Sequence, residues 1–377
     1  MQRSNQLFSK ISSDGQLELL LAEVEVPDPK PHEVIVRVQA APINPSDMWP
    51  MFGPANLAEA QLTFDGDAKV MSAPLFPGMT SRVKSRLDQV LPVGNEGAGT
   101  VVAAGDSDAA QALMGKTVGI LSGATYAEYC RVPVQACMAH HEGTTAVQAA
   151  SSFVNPLTAL AMVETMRMEG HTALVHTAAA SGLGQMLNKI CLAEGVPLVN
   201  IVRKQEQVDL LQSIGATHIC NSSSDTFKQD LYAAIDDTGA TLAFDAIGGG
   251  ELASDILTAM ERVGSKDAVG FNTYGSPAHK QVYIYGGLSF APTTLNRAYG
   301  MAWGVGGFLL MQFLGKIAPQ KVGQLHKRVA DEIGTTFASH FSDELSFKQA
   351  MTPSFVAQYN AKKTGEKFLI NPSLGVE

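Results

Sequence analysis

Apolar and polar positions alternate along the first part of the chain. QLELLLAEVEVP from Gln16 and HEVIVRVQAAPI from His32 put apolar side chains at about every second position and end near Pro, the pattern of half-buried strands. Gly and β-branched residues continue through VGNEGAGTVVAAG, GKTVGIL and TYAEYCRVP, which predicts a β-rich domain reaching to near residue 140. The texture then changes. Helical stretches alternate with short apolar runs, ALVHTA, LVNIVR, THICNS, LAFDAI, AVGFN and VYIYGG, and that spacing predicts βαβ units around a parallel sheet. MAWGVGGFLLMQFLGKIA from Met301 is broken by Gly and predicts a buried strand and turn. LHKRVADEIGTTF reads as a helix, and the last apolar run, EKFLINP, as a strand that rejoins the first domain. The fold class expected is therefore α/β in two domains, residues 1–148 with 325–377 and residues 149–324.

One handover from strand to helix stands out. TALVHTAAASGLGQ, from Thr172 to Gln185, strips away side chains where a strand passes into the helix GQMLNKICLAEG. Small residues there let a diphosphate approach backbone N–H groups and the positive end of the helix. A dinucleotide fingerprint wants Gly at three places, held here by Ala179, Ser181 and Gly184, with Gly182 beside the last. A tight turn without function is the alternative. The next predicted strand ends in Arg203-Lys204, where an NAD site places Asp or Glu about 20 residues past the turn. A cationic pair suits a 2′-phosphate and favours NADPH, the alternative being solvated loop charges.

Composition narrows the class. A formal net charge of −9 without a Lys/Arg block argues against a nucleic-acid partner. No run of roughly 18 apolar residues predicts a membrane span, and the N-terminus lacks the apolar core of a signal peptide. Cys130, Cys137, Cys191 and Cys220 form no C-x-x-C pair, which suits buried thiols in a reducing compartment, by default the cytoplasm.

INPSD (43–47), GNEGAGTVV (94–102), YAEYCRVP (126–133), NPLTAL (155–160), AAASGLG (178–184), IGAT (214–217), FDAIGG (244–249), YGGLS (285–289) and GEKFLI (365–370) together resemble the medium-chain dehydrogenase/reductase superfamily. Within it they are similar to the zinc-independent quinone oxidoreductases, with 2-enoyl thioester reductase features. The resemblance implies a GroES-like β-rich catalytic domain, a doubly wound Rossmann domain for NADPH, and a homodimer. It implies that Asn44 lines the cleft near the nicotinamide and that Asn155 and Thr158 face the nicotinamide riboside or amide. Ser181, Gly182, Leu183 and Gly184 are implied to hold the pyrophosphate, Arg203 and Lys204 the 2′-phosphate, and Gly248 and Gly249 to lie along the path from adenosine to ribose. Tyr285, Gly286, Gly287 and Leu288 match the segment beside the nicotinamide, and Lys367 a closing lysine that reaches the cofactor. Each has a structural alternative: Asn44 satisfying a loop backbone, Tyr285 packing as a strand aromatic, Lys367 as a surface lysine.

The chain departs from its zinc-binding and enoyl-reducing relatives. Zinc members hold the metal with Cys, a GHE block and a further Cys or His, but INPSD has no Cys and the GHE position reads Gly94-Asn95-Glu96. Only Glu96 and Asp47 are left as ligands, too few for a site of three or four donors, so no metal is expected. The Tyr that follows INPSD in enoyl thioester reductases is missing; Trp49 and Phe52 stand there and could sandwich a flat ring, or equally pack in the core. Extra segments at 56–90 and 263–281 could act as lids or reshape the pocket. The activity these features predict is NADPH-dependent hydride transfer to quinones or α,β-unsaturated carbonyls. An enoyl-CoA or enoyl-ACP reductase, or a cofactor-binding protein with incidental turnover, are the alternatives.

Overall fold

The computed structural model describes residues 2–65, 68–270 and 272–375. The chain divides into two compact units, Met1–Val154 with His326–Glu377, and Asn155–Leu325. The break falls a few residues beyond the expected 148/149. The short helix Ala146–Ala149 belongs with the first unit because Ala149 and Ala150 pack with Ala40, Ala98 and Leu369.

The first unit holds two sheets. One runs in the order Gln61–Asp65, Ala68–Pro74, Gln16–Val26, Gln2–Ile11, Val90–Pro92. Its central hairpin pairs Gln2 with Val26 through to Ile11 with Leu17, and Leu7, Ile11, Leu17 and Leu19 are fully buried. The strand Gln2–Ile11 has a weak apolar signal because two of its inward positions are the buried Ser4 and Ser9. Much of the 56–90 segment turns out to be sheet rather than lid: the strand Ala68–Pro74 pairs with Gln16–Val26, and Met71 and Ala73 enter the core. Residues 66 and 67 of that segment lie outside the described residues. The second sheet is built around Glu33–Pro42, which pairs with Glu96–Ala104, Tyr129–Pro133 and the late strand Phe368–Ile370. The closing strand thus rejoins the first unit, in keeping with its apolar run.

The second unit is a six-stranded parallel sheet. Taken in chain order from Leu174–Thr177, its strands lie as 3-2-1-4-5-6: His218–Asn221, Leu198–Val202, Leu174–Thr177, Leu242–Asp245, Lys280–Ile284, Trp303–Gly307. That is the doubly wound Rossmann order, in which ligands bind beyond the carboxyl ends of the strands where the order reverses. Parallel strands are covered on both faces, which explains the continuous apolar runs; all residues of Leu174–Thr177, Leu198–Val202 and Leu242–Asp245 are buried.

Two sequence expectations are corrected here. AVGFN is not a strand: Ala268 to Gly270 are irregular, Val269 is fully exposed, and Gly270 has φ +86. Phe271 of that run is outside the described residues. The sixth strand comes instead from Trp303–Gly307, which sits at the sheet's edge and is half-exposed rather than buried. The segment 263–281 is tied to the helix Leu252–Gly264 through Glu261, whose carboxylate accepts from Ser276 N at 2.7 Å, Ser265 Oγ at 2.8 Å and the buried Lys280 Nζ at 2.6 Å.

Candidate functional site

The turn after Leu174–Thr177 lies at the switch point, between strands whose crossovers run in opposite directions. Ala178 takes a left-handed φ of +51, and Ser181 N closes the turn on Ala178 O at 2.9 Å. Ser181 then caps the helix Gly182–Glu194, its hydroxyl accepting from Gly184 N at 3.1 Å. Helix geometry leaves the N–H groups of Gly182 and Leu183 without intrahelical acceptors, pointing along the positive end of the dipole. The two glycines have different duties. A Cβ on Gly184 would lie 2.2 Å from Ala179 O, so Gly184 lets helix and strand pack; a Cβ on Gly182 would meet only Asn155 Nδ2, at 3.6 Å. The turn, its helix amides and Asn155 are therefore adjacent. Thr158 is buried on the same helix as Asn155, Val154–Met168.

The neighbouring strand Leu198–Val202 is in register with the turn's strand, Thr177 opposite Ile201, and Ala179 N donates to Ile201 O at 3.2 Å. Asn200 on it is paired to Asn188 of the capped helix at 2.7 and 3.1 Å, both side chains buried. Arg203 and Lys204 follow at its end. Both are exposed, and among the described residues neither is ion-paired; their backbone N–H groups donate to Gln207 Oε1, and Lys204 O accepts from Gln207 N at 3.2 Å and Val208 N at 3.3 Å.

On the other side of the switch point, two loops run together. Leu288 N donates to Ala246 O at 3.1 Å and Ser289 N to Ile247 O at 2.9 Å. A Cβ on Gly248 would come 2.7 Å from Gly286 O, and one on Gly249 2.5 Å from Ala291 O, so these glycines allow the loops to touch. Gly287 has open space around it and Leu288 is 42% exposed. Asp245 and His176 organise this region, and neither was singled out from the sequence. Asp245 accepts from Thr177 Oγ1 at 2.7 Å, Ile247 N at 2.9 Å and Gly248 N at 3.1 Å. The local Asp-x-x-Gly spacing of an Asx-type turn was the available signal. His176, fully buried, stacks on Tyr285 and meets its hydroxyl at 2.8 Å. Burial drives the His176 imidazole down to about 3 and the Tyr285 hydroxyl upward, so both are neutral at neutral pH.

In the first unit a second cluster forms around Asn44. Asp47 is fully buried; its carboxyl accepts from Asn44 N and Asn95 N, each at 2.8 Å. Burial raises it to about 7 against those two donors. Glu96, also fully buried, accepts from Asn44 Nδ2 at 2.9 Å on one oxygen and from Phe153 N and Val154 N, both at 2.9 Å, on the other. Burial raises its carboxyl, opposed chiefly by the charge of Lys367. Lys367 donates to Ser151 Oγ at 2.6 Å and lies over the Phe341 ring, and burial lowers its ammonium. Lys367 thus already has protein partners and is no surface lysine. Phe52 is 2% exposed and stacked on Tyr359 in the core, so packing accounts for it; Trp49 is 43% exposed.

Residues 182–301 match the family described as zinc-binding dehydrogenase. The chain is 26% identical over 270 residues to a mitochondrial enoyl-[acyl-carrier-protein] reductase of Caenorhabditis elegans, covering 70% of this chain and 69% of the relative. Both matches are to dehydrogenases and reductases, the group that the sequence motifs resemble. Solved structures share its fold over nearly the whole length. A chain named as an NADPH:quinone reductase from Mesorhizobium loti superposes with a TM-score of 0.73 at 24% identity, covering 98% of each chain. One of the same description from Bacillus thuringiensis gives 0.72 at 18% identity, covering 98% of this chain and 99% of that one. A mutant enoyl thioester reductase from Candida tropicalis gives 0.68 at 19%, covering 98% and 100%. The fold shared with them is α/β in two units, one β-rich and one with the Rossmann strand order.

The match to a family described as zinc-binding falls wholly in the second unit. In the first unit the donor set does not fit zinc. Asp47 and Glu96 spend their oxygens on four backbone amides and Asn44, and Asn95 stands between them with its amide on Ser46 Oγ at 3.1 Å. Among the described residues no three His, Cys, Asp or Glu side chains gather as a metal site, and no helix is long and apolar enough to cross a membrane.

Proposed function

We propose that this protein is a zinc-independent, NADPH-dependent reductase that passes a hydride to quinones or α,β-unsaturated carbonyls. The observation that carries the reading is the switch-point turn. A capped helix N-terminus with bare glycine backbone stands next to a strand end followed by two exposed cations, neither ion-paired among the described residues. This suits a dinucleotide with a diphosphate and a 2′-phosphate. Gly182, Leu183 and Gly184 would hold the diphosphate with Ser181 shaping the turn, and Arg203 and Lys204 the 2′-phosphate. Asn155 and Thr158 would orient the riboside, and the 248–249 and 285–288 loops would wall the rest. Bound NADPH supplies the hydride; the protein's part is orientation and exclusion of water. Solved relatives named as NADPH:quinone reductases support the reading, as do the enoyl reductases for cofactor and fold.

The deciding experiment follows NADPH oxidation with 1,2-naphthoquinone, simple enones and enoyl-CoA esters in parallel. Saturable turnover with the quinone is expected. Efficient reduction of enoyl-CoA alone would move the assignment to the thioester reductases, and a binding isotherm without turnover would leave only a cofactor-binding protein. Elemental analysis should find no stoichiometric zinc, and one zinc per chain with chelator-sensitive activity would overturn that part. Trp49, exposed on the short helix after INPSD, is our candidate for the acceptor's wall. For assembly we propose a homodimer, which light scattering would register as twice 39.9 kDa. The four free cysteines suit a reducing compartment, and the cytoplasm is our reading; the Caenorhabditis elegans relative is named as mitochondrial.

A further inference from the structure

The two ends of the Asn44 carboxamide differ in a way that restricts what it can bind. Its Nδ2 is committed to Glu96 at 2.9 Å, while its Oδ1 is buried and has no hydrogen-bond partner among the described residues. The residue as a whole is 2% exposed. Which end faces which way is a question of hydrogen-bond logic rather than shape, because amide oxygen and nitrogen are nearly isosteric. Glu96 answers it. One of its oxygens is occupied by the backbone N–H groups of Phe153 and Val154, so the other is left to face Asn44. That oxygen accepts from the amide nitrogen of Asn44 at 2.9 Å. The amide nitrogen must therefore turn toward Glu96 and the oxygen away.

We propose that Glu96 is a positioning residue that locks the Asn44 carboxamide with its oxygen free, so that Asn44 binds a ligand group that donates a hydrogen bond. This rests on the reductase reading and sharpens it. A quinone or enone oxygen only accepts, so Asn44 held in this way does not polarise the acceptor's carbonyl. Its partner is an O–H or N–H: the hydroxyl of the reduced acceptor, or a hydroxyl or amide of the nucleotide. Buried acceptors are rarely left unpaired, and an orphaned Oδ1 beside a fully satisfied carboxylate is what a donor-binding position looks like before the donor arrives.

Glu96→Gln turns this lock around. Gln must present its own oxygen to the Phe153 and Val154 amides, which leaves its NH2 facing Asn44. Asn44 then flips, and an NH2 replaces the free oxygen. The test compares wild type, Glu96→Gln, Asn44→Ala and the double variant. Inhibition by 1-naphthol, an unreactive donor, is measured against 1-methoxynaphthalene, which has no donor, and NADPH affinity is measured by fluorescence titration.

If the donor comes from the acceptor side, wild type prefers 1-naphthol, and Glu96→Gln weakens it about tenfold. The methoxy compound and NADPH are then unaffected. If the donor comes from the nucleotide, NADPH affinity falls about tenfold instead and the two naphthalenes do not change. In either case Glu96→Gln adds nothing in the Asn44→Ala background, an outcome that a merely structural role for Glu96 does not give. The proposal is overturned if no constant moves, or if 1-naphthol, its methyl ether and NADPH all weaken together. Should Glu96→Gln fail to fold, Asn44→Ala decides alone: unchanged affinity for both 1-naphthol and NADPH overturns it. These are binding measurements, so absence of turnover in wild type would count against the reductase reading without deciding this one.

Discussion

Arg203 and Lys204 carry the sharpest residue-scale prediction. They are exposed, lack ion-pair partners among the described residues and follow the strand beside the turn, so a 2′-phosphate there gains charge-assisted hydrogen bonds worth about 1.5–3 kcal/mol. NADPH should bind roughly 10- to 150-fold more tightly than NADH, and Arg203→Ala should narrow the gap by weakening NADPH alone. Equal affinities in the wild type would refute the assignment.

Asp47 makes a prediction about stability. Its folded value of about 7 lies above the ordinary 3.8, so the native state holds the proton more tightly than the unfolded chain. This stabilisation is complete below 3.8 and is lost as the pH rises through about 7; the separation corresponds to roughly 4 kcal/mol. Denaturant midpoints at pH 5 and pH 8 should therefore differ more in wild type than in Asp47→Asn, and parallel behaviour would show that the group titrates normally. Phe52→Ala, in contrast, should cost about 3–5 kcal/mol of stability as a core truncation. An altered Michaelis constant with unchanged stability would return Phe52 to the acceptor's wall.

At the scale of elements, the strand–turn–helix of Leu174–Glu194 separates roles that the fingerprint lumps together. Gly184→Ala would drive a methyl to within 2.2 Å of Ala179 O and push the helix off its strand, so folding stability should fall by about 1–3 kcal/mol together with NADPH affinity. Gly182→Ala meets nothing closer than Asn155 Nδ2 at 3.6 Å; its melting temperature should hold while NADPH binding weakens. If both substitutions proved equally destabilising, Gly182 would be a packing residue. Ala178 shows why the turn could be read despite its missing glycines. The left-handed φ of +51 sits at Ala178, one residue ahead of the first fingerprint position, so Ala179 can carry its buried methyl without strain. The small residues were thus a better guide than the glycine pattern itself.

At the scale of the whole molecule, the division into two units separates what the 56–90 insertion can affect from what it cannot. Ala55 and Leu75 form an isolated bridge, so the chain can be closed across residues 56–74 with a short Gly link. The excision removes the buried Met71 and should cost the first unit about 2–5 kcal/mol. NADPH affinity should stay within about twofold of wild type, because the turn and its cations belong to the other unit. A large loss of NADPH binding would give the insertion a role in the site. The sequence by itself determined the β-rich and βαβ halves, the small-residue turn from strand to helix and the closing strand. In each, conformation follows from neighbours a few residues apart: alternation for strands, small residues and a cap for the turn, a parallel strand's unbroken apolar run. AVGFN fails by the same local logic, since an apolar run next to Gly270 cannot say whether the sheet has a place for it. Only the tertiary structure decided that Phe52 is core and that Trp303–Gly307 takes the sheet's edge. It alone decided that Asp47 and Glu96 accept from backbone amides and Asn44. Asn44 and Glu96 stand 52 residues apart and His176 and Tyr285 109 apart. Pairings of that span are set by which strands lie side by side, and no local pattern encodes them.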